Sequence, residues 1–89
     1  MKKYEDEISN LYNILADLKS PEDCRLLLED LCTNKEIIQM ALRIKAAKLL
    51  LEGNTYQQVT EKCDISSATL SRVSRCVQYG DGYSKFLKT

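Results

Sequence analysis

Histidine is absent from all 89 residues. The usual general base, the usual proton shuttle and the commonest metal ligand are therefore missing. Proline occurs once and glycine three times, which excludes collagen-like and flexible-linker chains. No apolar run approaches the roughly 18 residues of a membrane span. The start, Met1-Lys2-Lys3-Tyr4-Glu5-Asp6-Glu7, turns acidic where a secretion signal would turn apolar. A cytoplasmic protein with no membrane partner is expected. The four cysteines, Cys24, Cys32, Cys63 and Cys76, lie 8, 31 and 13 residues apart, so no C-x-x-C pair exists. Neither a disulfide framework nor a zinc site is expected, and the thiols read as small hydrophobes in helix interfaces rather than redox switches. Gly-rich phosphate loops and clustered carboxylates are missing too, so neither an enzyme nor a cofactor is expected.

What is present is ordinary globular composition, 44% apolar and 29% charged. The length suits one small domain, residues 1–89. Folding a monomer of this size hides only about 64% of the surface of its unfolded chain. Such a core is thin, and a partner chain would help it. The net charge of zero conceals a polarity. Residues 1–36 carry five basic against nine acidic side chains, a net of −4, and residues 37–89 carry eight against four, a net of +4. A basic back half suits a polyanion partner.

The periodicity is helical nearly everywhere. Tyr4, Ile8, Leu11, Tyr12, Leu15 and Leu18 form one stripe on a first helix. Ser20-Pro21-Glu22-Asp23 reads as a helix start, with Ser as N-cap, Pro at N1 and acids at the positive dipole end. The second helix carries Cys24, Leu27, Leu28 and Leu31. Thr33-Asn34-Lys35-Glu36 fits a capping box that opens a third helix. Its expected buried stripe is Ile37, Met40, Ala41, Ile44, Ala47 and Leu51. Leu42, Leu49 and Leu50 fall off that stripe, which makes this helix central or a contact for a second chain. Gly53 ends it. Thr55-Tyr56-Gln57-Gln58 caps a short fourth helix, Ser66 caps a fifth running to about Gln78, and Gly80 and Gly82 follow. Tyr83, Phe86 and Leu87 fit a last turn or short helix. Only three valines are present and no segment alternates, so no sheet is expected. The fold class is all-α, with five to six helices.

Residues 56–75, YQQVTEKCDISSATLSRVSR, have the pattern of a helix-turn-helix. Val59 and Cys63 on the first helix, Ile65 in the turn, and Leu70 and Val73 on the second supply the apolar crossing. Thr60 is a small residue facing the second helix. Asp64 stands where a turn glycine is common, and Asp tolerates the left-handed conformation. The outer face of the second helix is then Ser66, Ser67, Ala68, Thr69, Ser71, Arg72, Ser74 and Arg75. Short hydroxyls and methyls let a helix sink into a major groove and touch base edges, and the N-terminal amides can hold a phosphate. Double-stranded DNA is the expected partner.

These residues resemble a known family. LLLEGNTYQQVTEKCDISSATLSR, residues 49–72, is similar to the core of the tryptophan repressor superfamily, and SATLSRVSRCVQYGDGY, residues 67–83, resembles its YerC/YecD branch. The resemblance implies an intertwined homodimer with two reading heads that regulates transcription, most simply as a repressor. Residues 1–53 would then supply the dimerisation helices, 55–78 the helix-turn-helix and 80–89 a C-terminal turn or short helix. It also implies that Gln57, Thr60, Ser67, Ala68 and Ser71 contact DNA, with Thr69 beside them. In the tryptophan repressor two arginines flank the indole ring of the effector, and Arg43 and Arg72 match those places. This sequence departs from the pattern where Val73 replaces a glycine and Cys76 a serine. A branched side chain against the ring costs binding, so an effector other than tryptophan, or none, is expected. The alternative reading is a helical protein-interaction module that uses the same fold without reading DNA.

Overall fold

The computed structural model describes residues 3–88. Six helices and no strand occur among them. The chain divides into two compact units, one ending at Thr33 and one starting at Asn34.

The first unit holds α1 (Glu5–Asp17) and α2 (Pro21–Leu31). Three acids in the first turn of α1 face its positive dipole end. The start of α2 follows the sequence pattern: Ser20 Oγ accepts the Asp23 amide at 3.1 Å, and the Asp23 carboxylate accepts the Lys19 amide at 3.1 Å. Arg25 bridges Glu22 and Glu29 at 2.6 and 2.9 Å on the exposed side, and this pairing holds the Glu22 carboxyl below its ordinary range. Neither helix contains a fully buried residue. Leu31 is 54% exposed, and Tyr12 is 64% exposed.

The second unit holds α3 (Asn34–Leu51), α4 (Tyr56–Lys62), α5 (Ser67–Tyr79) and α6 (Gly82–Leu87). α3 is the spine: it meets α4, α5 and α6, and α5 meets α6. The buried core is Ala46, Ala47, Val59, Cys63, Leu70 and Val73, flanked by Leu42, Leu49, Leu50, Ile65, Val77, Tyr83 and Leu87. Full burial of a side chain such as Leu70 contributes about 1.5–3 kcal/mol. The face of α3 in use differs from the expected stripe. Ala46 and Ala47 lie inside, with Leu42, Leu49 and Leu50 on the core, whereas Ala41 and Ile44 are exposed. Two adjacent alanines allow three helices to approach one spine closely, so the small residues decide which face turns inward.

α3 ends in a Schellman turn. The Gly53 amide donates to Leu50 and the Asn54 amide to Leu49, both at 3.1 Å, and Gly53 has φ +99°. A Cβ built there meets nothing within 4 Å, so its cost is conformational alone. Gly53→Ala is expected to lower stability by about 1–2 kcal/mol, seen as a melting temperature lower by several degrees. An unchanged transition would contradict this reading of the turn. At the other end of the unit the Gly80 amide donates to Cys76 at 2.8 Å, and a Cβ on Gly80 would sit 2.8 Å from that same carbonyl oxygen. Glycine is therefore what lets α5 hand over to α6.

Candidate nucleic-acid interface

α4 begins with the capping box read from the sequence. Thr55 Oγ1 accepts the Gln58 amide at 3.2 Å, and Gln58 Oε1 accepts the Thr55 amide at 2.8 Å. Both caps are needed, because a helix of seven residues cannot sustain itself by propagation. The turn between α4 and α5 is built without a left-handed residue: among the described residues no non-glycine has positive φ. The Ile65 amide donates instead to the Cys63 carbonyl at 3.0 Å, closing a tight three-residue turn around Asp64, and Cys63 and Ser66 are extended on either side. This corrects the expectation for Asp64. An inverse γ-turn reverses the chain without the αL cost that any side chain would bear there. Val59, Cys63, Leu70 and Val73, the apolar residues expected at the crossing, are all buried, and Ile65 packs against them. The Cys63 thiol donates to the Leu42 carbonyl at 3.6 Å, so it serves packing.

α5 starts at Ser66, whose Oγ accepts the Thr69 amide at 3.2 Å and donates to Thr69 Oγ1 at 2.9 Å. Ser67, Ala68, Ser71, Arg72 and Arg75 are all exposed. At 3.6 residues per turn they fall within an arc of about 140°, opposite Leu70, Val73 and Val77. Thr69 lies on the flank of that face, half-buried, with its hydroxyl held by Ser66. Ser74 is half-buried on the other flank. On α4, Gln57 is exposed, and Thr60 turns its hydroxyl back onto the Gln57 carbonyl at 2.6 Å. Thr60 is thus exposed rather than packed under α5, because its own helix offers an acceptor within reach.

Tyr56 carries a role that its place in the sequence does not reveal. Its hydroxyl lies 3.0 Å from the Ser67 carbonyl oxygen and 2.7 Å from Ser71 Oγ. The phenol thereby ties the first residue of α4 to the outer face of α5. The available signal was a single aromatic ring in an otherwise polar first turn.

A short helix, a tight turn and a crossing helix with a small, hydroxyl-rich outer face are a helix-turn-helix. The family described as Trp repressor protein matches residues 6–89 of this chain. The chain belongs to the Trp repressor protein family. The uncharacterized protein YerC of Bacillus subtilis (strain 168) is 43% identical over 82 residues, which cover 91% of this chain and 79% of YerC. The crystal structure of a TrpR-like protein from Eubacterium eligens ATCC 27750 matches with a TM-score of 0.86 at 34% identity, over 96% of this chain and 90% of that one. A second crystal structure, from Staphylococcus aureus, also gives 0.86, at 30% identity over 98% and 92% of the two chains.

The Trp repressor fold is one of DNA-binding regulators, and the four positions that resemble its effector pocket can now be located. Val73 is 1% exposed and belongs to the core. Arg43 and Cys76 are half-buried and Arg72 is exposed. A cleft of about 410 Å³ opens beside Cys76, lined also by Gly80, Gly82, Tyr83 and Phe86. Arg43, Arg72 and Val73 do not line it, so the structure does not gather the four around that space. No helix among the described residues is long and apolar enough to cross a membrane.

Proposed function

We propose that this chain is a homodimeric, sequence-specific DNA-binding regulator of transcription, acting as a repressor, that places α5 in a major groove. The observation that carries this is the outer face of α5. Ser67, Ala68 and Ser71 lie near the start of the helix, where a docked helix meets base edges, and Arg72 and Arg75 follow where it would pass the phosphates. Gln57 and Thr60 on α4 and Ser66 and Thr69 at the cap would flank the same groove. Selection of bound fragments from the source genome tests the reading. A shared sequence among the recovered fragments is the expected result, and recovery of no fragment above background would overturn it.

A second copy of this chain is the partner that the first unit calls for. α1 and α2 expose Leu11, Tyr12, Ile14, Leu15, Leu26 and Leu31, and α3 adds Ile38 and Ile44. This extent of exposed aliphatic and aromatic surface supports pairing with a second copy. Two reading heads would then face two half-sites related by the dimer axis.

Val73 fills the place where the related pocket has glycine, and its burial supports weak tryptophan binding or none. Titration calorimetry with L-tryptophan is expected to find no micromolar affinity, and finding it would contradict this. Val73→Gly is expected to favour the indole. It also costs about 2–3 kcal/mol of stability, from the lost core side chain and glycine in a helix interior.

A further inference from the structure

The direction of each hydrogen bond at the α4–α5 crossing can be worked out, and it bears on base selection; the inference rests on the DNA-binding reading above. The Tyr56 hydroxyl lies 3.0 Å from the Ser67 carbonyl oxygen, and a carbonyl only accepts, so the phenol proton goes there. A phenol has one proton. The 2.7 Å bond between Tyr56 and Ser71 Oγ is therefore made with the serine proton, donated to the phenol oxygen. A helical serine can also donate to the carbonyl three or four residues back, as Thr60 does on α4, but the Ser71 proton already goes to the phenol oxygen. The carbonyl four residues back from Ser71 belongs to Ser67. It already receives the Ser71 amide by helix geometry and the Tyr56 phenol, and both lone pairs are filled. The exposed side of Ser71 consequently presents lone pairs and no proton.

We propose that Tyr56 is a positioning residue that makes Ser71 an acceptor-only reader, so that α5 selects an amino base over a keto base at the position it faces. In the major groove adenine offers its N6 amino group and cytosine its N4 amino group, whereas guanine and thymine offer carbonyl acceptors there. An acceptor-only hydroxyl pairs with the first two and meets the others lone pair to lone pair. It cannot donate to a phosphate oxygen either, so Ser71 reads a base rather than anchoring the backbone. Without the phenol the serine rotor is free and both kinds of base are accepted.

The test is selection from a random duplex library by the full chain and by Tyr56→Phe and Ser71→Ala, each checked by circular dichroism melting. Tyr56 is 40% exposed, so the loss of its hydroxyl is compatible with folding. The parent is expected to enrich a motif with one position in each half-site restricted to A or C on one strand, preferred about fivefold. Tyr56→Phe should widen that position alone to all four bases while keeping the rest of the motif. Ser71→Ala should widen the same position and also weaken binding, by roughly three- to tenfold. A parent motif that Tyr56→Phe leaves unchanged, or a loss spread evenly over every position, overturns the inference while DNA reading stands. So does a position, wherever the two variants act, that is restricted to A or G, to A or T, or to G or C instead of to A or C on one strand. If the parent enriches no sequence, the DNA reading fails and this inference fails with it.

Discussion

Ala68→Asp abolishes binding to every duplex and leaves the fold intact: that is the largest effect expected of any single change on α5. Ala68 is exposed at the second position of the helix, within the outer face and away from Leu70 and Val73. A carboxylate there would confront base acceptors and phosphates together, and a loss beyond a hundredfold follows from unpaired like charges at close range. The same carboxylate sits in the first turn, where the helix dipole favours a negative charge by about 0.3–1 kcal/mol. The melting temperature should therefore hold or rise while binding disappears, a combination that unfolding cannot produce. Arg75→Ala gives the complementary result. Arg75 is exposed two turns further on, so its loss should weaken selected and random duplexes alike and lower the salt slope by roughly one unit. Titrations of both variants at several salt concentrations, with circular dichroism as control, check the pair. If Ala68→Asp stays folded and binds as the parent does, α5 is not a DNA reader, and a protein-interaction role for the same face takes precedence.

The second large effect concerns the dimer. Removing residues 1–19 takes away all of α1, including Leu11, Tyr12, Ile14 and Leu15, none of which is buried within one chain. Burial of each such side chain by a partner is worth about 1.5–3 kcal/mol, so the truncated chain should lose at least a thousandfold in self-association. Stability should fall with it, because the six buried residues described in the second unit make a small core. Sedimentation equilibrium reads the first effect and thermal melting the second. A full-length chain that sediments as a stable folded monomer at micromolar concentration would contradict the dimer outright.

The parts of this fold legible in the sequence are those set by local chemistry. Ser20, Thr55 and Ser66 announce three helix starts, because a side-chain oxygen three residues before an orphan amide has one obvious use. Val59, Cys63, Leu70 and Val73 announce the crossing, because their offsets put apolar side chains on the facing sides of two short helices. α3 was harder. Its apolar residues surround the helix, and periodicity alone cannot rank Ile44 against Leu42 when one face stays exposed and another meets three helices. The turn at Asp64 escaped for a different reason: a left-handed residue and an inverse γ-turn make the same reversal, and composition does not separate them. Tyr56 escaped because its role depends on where Ser67 and Ser71 stand, 11 and 15 residues later, after the turn has been made. The reading face itself was visible as a run of small hydroxyl residues. Its edges were not, since only the packed structure moves Thr69 to a half-buried flank and leaves Ser71 in the open.

One measurement bears most directly on the claim that this chain reads DNA sequence through α5. The unmodified protein is titrated on a duplex recovered by selection and on a random duplex of equal length, in parallel, from low to physiological salt. The expected result is a preference of at least about a thousandfold for the selected duplex near physiological salt. Random-duplex affinity should fall steeply as salt rises, because phosphate contacts dominate it. Equal affinity for the two duplexes at every salt concentration, or no binding to either, would contradict the claim.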